Sequence, residues 1–131
     1  MNYLVDTHIL LWSFIHPEKL SQKIQEILLN EDNSIHYSQF SLWEISIKFN
    51  LGKLQLKKKS PEQFYNELEK SYYLCKKITN EELITFHQLP VEHKDPFDRA
   101  LIWQSILNKY IFISSDGALE SYVKYGLKYV L

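Results

Sequence analysis

Residues 2–8 of the chain read NYLVDTH, a short apolar run of strand type that ends on the carboxylate of Asp6. An open parallel sheet binds its ligands in the crevice beyond the carboxyl ends of its strands, where loops from several strands converge. Asp6 is therefore the first candidate functional residue. Aspartate is also one of the best helix-capping residues, and a helix pattern begins a few residues later, so a structural role fits Asp6 equally well.

The rest of the sequence alternates between strand and helix patterns. We predict strands at Asn2–Val5, Ile35–Tyr37, Tyr72–Ile78, Tyr110–Ser114 and Lys128–Val130. We predict helices at Ile9–Phe14, Leu20–Leu29 and Phe40–Phe49. Ser60-Pro61-Glu62-Gln63 has the form of a capping box, with a serine before a first-turn proline and a glutamine three residues on, and opens a helix to about Lys70. Asn80 is the expected cap of a short helix through Phe86, Asp95-Pro96 starts a helix that runs to Asn108, and a last short helix precedes the final strand. Parallel strands need long connections that are usually helical, so the alternation predicts an α/β fold with a parallel sheet covered on both faces.

The composition is that of a folded globular protein. The chain has the length of one domain, which spans residues 1–131. A single site must therefore both bind the substrate and carry out the reaction. Hydrophobic residues make up 45% of the chain, yet no segment reaches the roughly 18 consecutive apolar residues of a membrane span. The first residues lack the pattern of a secretory signal, and one cysteine, Cys75, forms no internal disulfide. We therefore expect a soluble, cytoplasmic protein with no membrane partner.

The formal net charge of −1 provides no overall attraction to nucleic acid. Any contact with phosphates must therefore be local. Lysines form two clusters, one of Lys53 with Lys57–Lys59 and one of Lys76 with Lys77. Such short basic runs are more often solvated surface than phosphate-binding sites, so both interpretations stay open.

Three further acids, Glu44, Asp98 and Asp116, lie near edges of the predicted elements, and each also has a structural interpretation. Ser41 and Glu44 match a capping box, although the apolar pattern places Glu44 well inside a helix, where an acid needs a partner. Asp98 suits the first turn of a helix through its interaction with the helix dipole. Asp116 precedes Gly117, the usual composition of a tight turn.

The four acids together indicate a divalent-metal site. In an alternating fold Asp6 and Asp116 would both end strands, while Glu44 and Asp98 would project from adjoining helices into the same region. Carboxylates about 4 Å apart repel each other by on the order of 4 kcal/mol in a partly buried setting, so a cation is needed to hold them together. Oxygen ligands suit magnesium or manganese, whereas zinc prefers paired histidines or cysteines, a spacing that none of the five histidines shows.

Residues around these acids have weaker candidate roles. Asp95 is mainly a helix cap. Thr7 is a hydrogen-bond donor either to a metal-bound carboxylate or phosphate or to the local backbone. Arg99 would meet a phosphate, solvent or a neighbouring acid. His8 and His93 lie near the site, but a lone histidine is usually structural, so neither is assigned a catalytic role.

The large apolar side chains are assigned to packing. We expect Trp12, Trp43 and Trp103 in the core or at an interface, where aromatic side chains contribute most of their area, and not in base stacking. Cys75 lies inside a predicted strand and is expected to be a small buried residue.

Four blocks of the sequence resemble the PIN-domain ribonucleases, specifically the VapC-type toxins of bacterial toxin–antitoxin pairs. These blocks are LVDTHILLW at residues 4–12, SLWEI at 41–45, DPFDR at 95–99 and ISSD at 113–116. The resemblance spans nearly the whole chain, and the order, spacing and element type of the blocks are jointly specific.

This resemblance implies a three-layer α/β/α sandwich with a mostly parallel sheet, and cleavage of RNA, in particular structured RNA such as tRNA, that depends on Mg²⁺ or Mn²⁺. It further implies a cognate antitoxin and a homodimer. The apolar helices before Phe49 and around Phe64 are available either as the dimer interface or to bind an antitoxin helix. The acids carried over as catalytic and metal-binding residues are Asp6, Glu44, Asp98 and Asp116, with Asp95, Thr7 and Arg99 as auxiliary candidates. Trp103 and the pair Gly117-Ala118 depart from the family pattern and leave the acids intact.

The mechanism we infer is in-line hydrolysis of an RNA phosphodiester, since no serine or cysteine has an evident activating base beside it. Two other functions fit parts of the pattern. A phosphatase of the haloacid dehalogenase type needs a second aspartate two residues after the first, Asp6. This chain has His8 at that position, which argues against a phosphatase. An inactive PIN-like module that only binds RNA or a partner protein would not need all four acids.

Overall fold

Five parallel strands form the central sheet of the protein, whose computed structural model describes residues 1–131. They are β1 (Asn2–Val5), β2 (Ser34–Ser38), β3 (Leu74–Lys76), β4 (Ile111–Ile113) and β5 (Lys128–Val130). Their order in the sheet is β3-β2-β1-β4-β5. In register, Leu4 of the central strand β1 lies opposite His36 of β2 and Phe112 of β4. The predicted parallel sheet is thus confirmed.

Six α-helices connect the strands: α1 (Thr7–Ile15), α2 (Gln22–Leu29), α3 (Gln39–Asn50), α4 (Pro61–Lys70), α5 (Asn80–Thr85) and α6 (Pro96–Asn108). Short 3₁₀ helices lie at Pro17–Lys19, Phe86–Gln88 and Glu120–Tyr125. The last short helix expected before β5 is thus a 3₁₀ helix. None of the helices is long and apolar enough to cross a membrane.

Two hydrophobic cores lie on opposite faces of the sheet, because successive strand side chains point to opposite sides. Tyr3 and Val5 belong to the first core, which is covered by α1, α2 and α4 and by Ile45 of α3. Leu4 belongs to the second core, which contains residues of α6 and Tyr122. The layers are therefore helix, sheet and helix, as the α/β/α prediction requires.

Helix caps follow the sequence signals with two shifts. Ser60 and Gln63 form the predicted capping box at the start of α4. Helix α5 is capped by Thr79 with Glu82, one residue before the predicted cap, since that pair completes a reciprocal capping box. Helix α3 is capped by Ser38, so Glu44 lies inside the helix and the capping-box interpretation of Glu44 is wrong.

The third strand is where the sequence prediction was least accurate. β3 spans Leu74–Lys76 and not Tyr72–Ile78, because it is an edge strand that pairs only with β2. Cys75 is exposed, so its expected burial is wrong. An edge strand has no neighbour on one side, and a three-residue one has few side chains to bury.

The topology brings the ends of β1 and β4 together at the carboxyl edge of the sheet. The chain places β2 and β3 on one side of β1 but β4 and β5 on the other, so the strand order reverses between β1 and β4. Such a switch point leaves a crevice outside the carboxyl ends of the strands. Asp6 immediately follows β1 and its amide donates to the carbonyl of Ile113, the last residue of β4, at 2.9 Å.

Candidate metal centre

Asp6 is held at the end of β1 by hydrogen bonds to both carboxylate oxygens. Its Oδ1 accepts from the amide of Ile9 at 2.7 Å, which caps α1. Its Oδ2 accepts from the Ser114 hydroxyl at 2.6 Å and from the Ser115 amide at 3.4 Å. The residue is only 4% exposed, and burial raises its pKa although the bonds from Ser114 and Ile9 oppose the rise. Capping and a second role are compatible, since Oδ1 accepts a single hydrogen bond and keeps a further lone pair.

Glu44 lies one helical turn inside α3 and is 2% exposed. Its Oε1 accepts from the Thr7 hydroxyl at 2.6 Å, and Thr7 also shares a hydrogen bond of 2.9 Å with the Ser41 hydroxyl. Its Oε2 accepts from the ammonium of Lys48. The partners that a buried acid requires are thus Thr7 and Lys48. Thr7 has the expected donor role toward a carboxylate.

Asp98 lies in the first turn of α6, with its Oδ2 3.4 Å from Nε2 of His93. Burial raises its pKa to about 7, and the negative charges of Asp95, Asp6 and Glu44 act in the same direction, while His93 opposes them. These repulsions arise only between charges that lie close together. The fold therefore places Asp98 within electrostatic reach of Asp6 and Glu44, whereas the ligand atoms that lie within 4.8 Å of one another are those of Asp98, Asp116 and His93.

Asp116 follows β4 and is bound by His93. The His93 Nε2 lies 2.5 Å from Oδ2 of Asp116 and 3.4 Å from Oδ2 of Asp98. The Asp95 amide donates to Nδ1 of His93 at 3.1 Å, so the proton of the neutral ring is on Nε2, which can donate to the acids. This contact and the Ala118 amide lower the pKa of Asp116.

His93 is the residue that sequence reasoning left without a role. His93, Asp98 and Asp116 each offer one ligand atom, and these three atoms lie within 4.8 Å of one another, a spacing that fits a metal ion. The Tyr122 hydroxyl accepts from the His93 amide at 2.8 Å and thereby fixes the loop that carries it. Asp116 and Tyr122 lie 23 and 29 residues from His93, so no local pattern signals these two contacts.

Two auxiliary candidates, Asp95 and Arg99, have local structural contacts. Asp95 caps α6 by accepting from the Phe97 amide at 2.9 Å, as predicted. The guanidinium of Arg99 lies 4.7 Å from the centre of the Phe86 ring and donates to the Leu89 carbonyl at 3.4 Å. Arg99 is partly exposed and forms no ion pair with an acid, because it packs against an aromatic ring; contact with a phosphate stays a prediction.

A basic side chain lies beside the acids. Burial lowers the pKa of Lys48, but the hydrogen bond and charge of Glu44 and the charges of Asp95 and Asp98 raise it overall. Lys48 also lines a cleft of about 250 Å³ with Thr7, His8, Glu44 and Lys53. The site therefore has an acidic centre and a basic rim.

The donor set fits a hard divalent cation. Asp6, Glu44, Asp98 and Asp116 offer carboxylate oxygens, which Mg²⁺ and Mn²⁺ prefer. Burial is the main cause of the raised pKa of Asp98, and repulsion by Asp95, Asp6 and Glu44 adds to it; a cation would relieve that repulsion. His93 adds one nitrogen, well short of the nitrogen and sulfur set that zinc favours.

Fold and site together define an open parallel α/β protein with an oxygen-rich acidic centre at its switch point. Residues 3–124 match the PIN domain family. The chain therefore belongs to the PIN-domain family, and the resemblance drawn from the four sequence blocks is confirmed. No protein with a curated description matches the chain significantly.

Solved structures show the same fold at low sequence identity. VapBC2 from Rickettsia felis, bound to a DNA fragment from its promoter, matches with a TM-score of 0.68 and 16% identity over 99% of this chain and 98% of that one. DNA-bound VapBC from Salmonella typhimurium matches with a TM-score of 0.66 and 14% identity over 99% of this chain and 97% of that one. VapBC-1 from nontypeable Haemophilus influenzae matches with a TM-score of 0.63 and 15% identity over 99% of this chain and 97% of that one.

Proposed function

We propose that this protein is a metal-dependent endoribonuclease that hydrolyses RNA phosphodiester bonds and acts as the toxin of a toxin–antitoxin pair. The observation that carries the proposal is the cluster at the carboxyl edge of the sheet, where Asp98, Asp116 and His93 each offer one ligand atom within 4.8 Å of the others. Asp6 and Glu44 lie within electrostatic reach of Asp98, since their charges add to the burial that raises its pKa to about 7. Membership of the PIN-domain family supports the nuclease class.

Each acid has a role in this proposal. Asp6, Glu44 and Asp98 would hold Mg²⁺ or Mn²⁺, which activates water and stabilises the charge that develops on a phosphate. Asp116 would complete the ligand set or orient the attacking water, and His93 positions Asp116 through its Nε2. Thr7 positions Glu44.

The basic rim supports an RNA substrate. Lys48, Lys53 and His8 line the cleft beside the acids, where the RNA backbone would pass. Lysine ammonium groups bind phosphates through charge. Because the chain as a whole is close to neutral, this local positive charge is what would attract RNA. Structured RNA such as tRNA is the substrate class we propose, in the cytoplasm.

Two protein partners complete the proposal. The three structural neighbours come from VapBC complexes, which supports a cognate antitoxin that binds this chain and inhibits it. A second copy of the chain would cover the apolar groove between α3, α5 and α6. Its lining includes Trp43, which is 59% exposed, and Leu83. A large exposed apolar surface is typical of an interaction site.

The test is cleavage of a structured RNA, such as tRNA, by purified, partner-free protein with and without saturating Mg²⁺. Asp6→Asn should lose at least about 100-fold in rate, because one carboxylate ligand becomes a neutral amide. Asp32→Asn, at an exposed acid in the loop before β2, is the matched control and should cleave normally. Cleavage by Asp6→Asn at the wild-type rate would reject the metal role, and no magnesium-dependent cleavage by wild type would favour a binding module.

A further inference from the structure

Lys48 places a positive charge inside the acidic centre. It follows Glu44 by one turn of α3, the i to i+4 spacing at which side chains of a helix meet. The Lys48 ammonium donates to Oε2 of Glu44. The Glu44 side chain is 3% exposed and the Lys48 side chain 35%, so the carboxylate is enclosed while the lysine reaches it from the surface.

The two oxygens of Glu44 have different partners. Oε1 accepts from the Thr7 hydroxyl, a neutral donor that leaves the carboxylate charge uncompensated. Oε2 is paired with Lys48. Among the four candidate ligands, Glu44 is the one with a lysine or arginine in ion-pair distance, since Asp98 and Asp116 pair with His93 and Asp6 has no ion pair. Lys48 is therefore the one permanent cation in contact with the centre.

A buried carboxylate that stays ionised needs a counter-charge or several hydrogen-bond donors to offset the hydration it has lost, and Glu44 has one neutral donor besides Lys48. A divalent ion bound by Glu44 would bring a second cation into contact with the same group, and the two cations would repel each other. Lys48 has a long flexible side chain and an open cleft beside it, lined also by His8 and Lys53. The ammonium can therefore leave Glu44 when another cation takes its place.

We propose that Lys48 is an internal counter-ion of the acidic centre, which neutralises Glu44 in the metal-free protein and competes with the divalent ion for that carboxylate. The inference rests on the proposed function, in which Glu44 is a metal ligand. Lys48 is a positioning residue in this role. It keeps the metal-free centre folded and lowers the apparent affinity for the metal.

The test measures Mn²⁺ binding by calorimetry and the melting temperature in EDTA, with no need for substrate. Lys48→Met removes the charge and keeps a helix-forming side chain of similar length. We expect it to bind Mn²⁺ roughly five- to fiftyfold more tightly, the range expected for one half-buried ion pair, and to melt at a lower temperature in EDTA. Lys48→Arg keeps the charge and should stay within about threefold of wild type.

Lys53→Met is the matched control, because Lys53 lines the same cleft and has no ion pair with the acids. It should leave both Mn²⁺ affinity and the melting temperature in EDTA unchanged. In a Glu44→Gln background, Lys48→Met should no longer tighten Mn²⁺ binding, since the carboxylate for which the two cations compete is absent. Lys48→Gln repeats the comparison should Lys48→Met fold poorly.

If Lys48→Met and Lys48→Gln bind Mn²⁺ with the same affinity as wild type, or more weakly, the counter-ion role is wrong and the metal site remains in place. Tighter binding that persists in the Glu44→Gln background would overturn it as well. Failure of wild type and of every Lys48 variant to bind Mn²⁺ would reject the metal-dependent function itself, and the inference with it.

Discussion

At the scale of single residues, the site depends on contacts between side chains that are far apart in the sequence. Ser114 donates to Asp6, Thr7 donates to Glu44, and His93 bridges Asp98 and Asp116. Each of these donors fixes a carboxylate that would otherwise rotate freely. Groups that orient metal ligands in this way affect metal affinity nearly as strongly as the ligands themselves.

Thr7→Val tests this support. Valine has nearly the same shape and removes the hydroxyl that donates to Glu44 and contacts Ser41. We expect Mn²⁺ affinity to fall about 10- to 100-fold, measured by calorimetry, because Glu44 loses its orienting donor. Ser46→Ala, on the exposed side of α3, is the control and should bind Mn²⁺ as wild type does. Equal affinity of Thr7→Val and wild type would show that Thr7 has no positioning role.

The raised pKa of Asp98 predicts how the metal-free protein responds to pH. Its carboxyl has an ordinary pKa of 3.8 and a pKa of about 7 in the fold. Between these values the folded protein keeps a proton that the unfolded chain releases, so the free energy of unfolding falls as the pH rises from about 4 to 7. The raised pKa of Asp6 acts with the same sign.

Melting temperatures in EDTA across this pH range measure the effect. The decline should be smaller in Asp98→Asn, whose amide does not titrate, and Asp32→Asn should follow wild type. Saturating Mg²⁺ should reverse the trend, because the ion binds the ionised carboxylates. Parallel curves for wild type and Asp98→Asn would contradict the assignment.

At the scale of the helices and strands, local sequence signals determine where most elements begin. The capping box of Ser60 and Gln63 at α4 is both predicted and observed. Ser60→Ala should lower the free energy of unfolding by about 1 kcal/mol, measured by urea denaturation, because it removes the acceptor for the Gln63 amide. Ser60→Asp should retain the cap and most of the stability. A loss of RNA cleavage in Ser60→Ala at a temperature where it is fully folded would speak against a purely local role.

The order of strands and helices could be predicted from the sequence because several helices begin at a recognisable cap, such as Ser60 or Asp95, and most strands are short apolar runs. The sequence predicted β3 poorly, since the length of an edge strand depends on pairing with β2 and not on its own residues. The roles of the four acids stay a prediction. His93 was missed because Asp116, its hydrogen-bond partner, lies 23 residues further along the chain. The pair of Glu44 and Lys48 has helical spacing and could have been found from the sequence.

At the scale of the whole molecule, the apolar groove between α3, α5 and α6 predicts a dimer. Leu83 lines this groove, whereas Ile84, the next residue, is exposed outside it. In multi-angle light scattering we expect wild type and Ile84→Glu to be dimers and Leu83→Glu to be a monomer, since a charge in an apolar interface is costly to bury. A monomeric wild type would exclude the dimer. A dimeric Leu83→Glu would place the dimer contact elsewhere on the molecule.

The central claim is that this edge of the sheet holds a divalent ion between carboxylates. The most direct measurement is anomalous diffraction from crystals of partner-free protein soaked in Mn²⁺. We predict a Mn²⁺ peak about 2.1 Å from oxygens of Asp6, Glu44 and Asp98, with the Lys48 ammonium turned away from Glu44. Crystals that show no Mn²⁺ between these side chains, at a concentration that supports RNA cleavage, would contradict it.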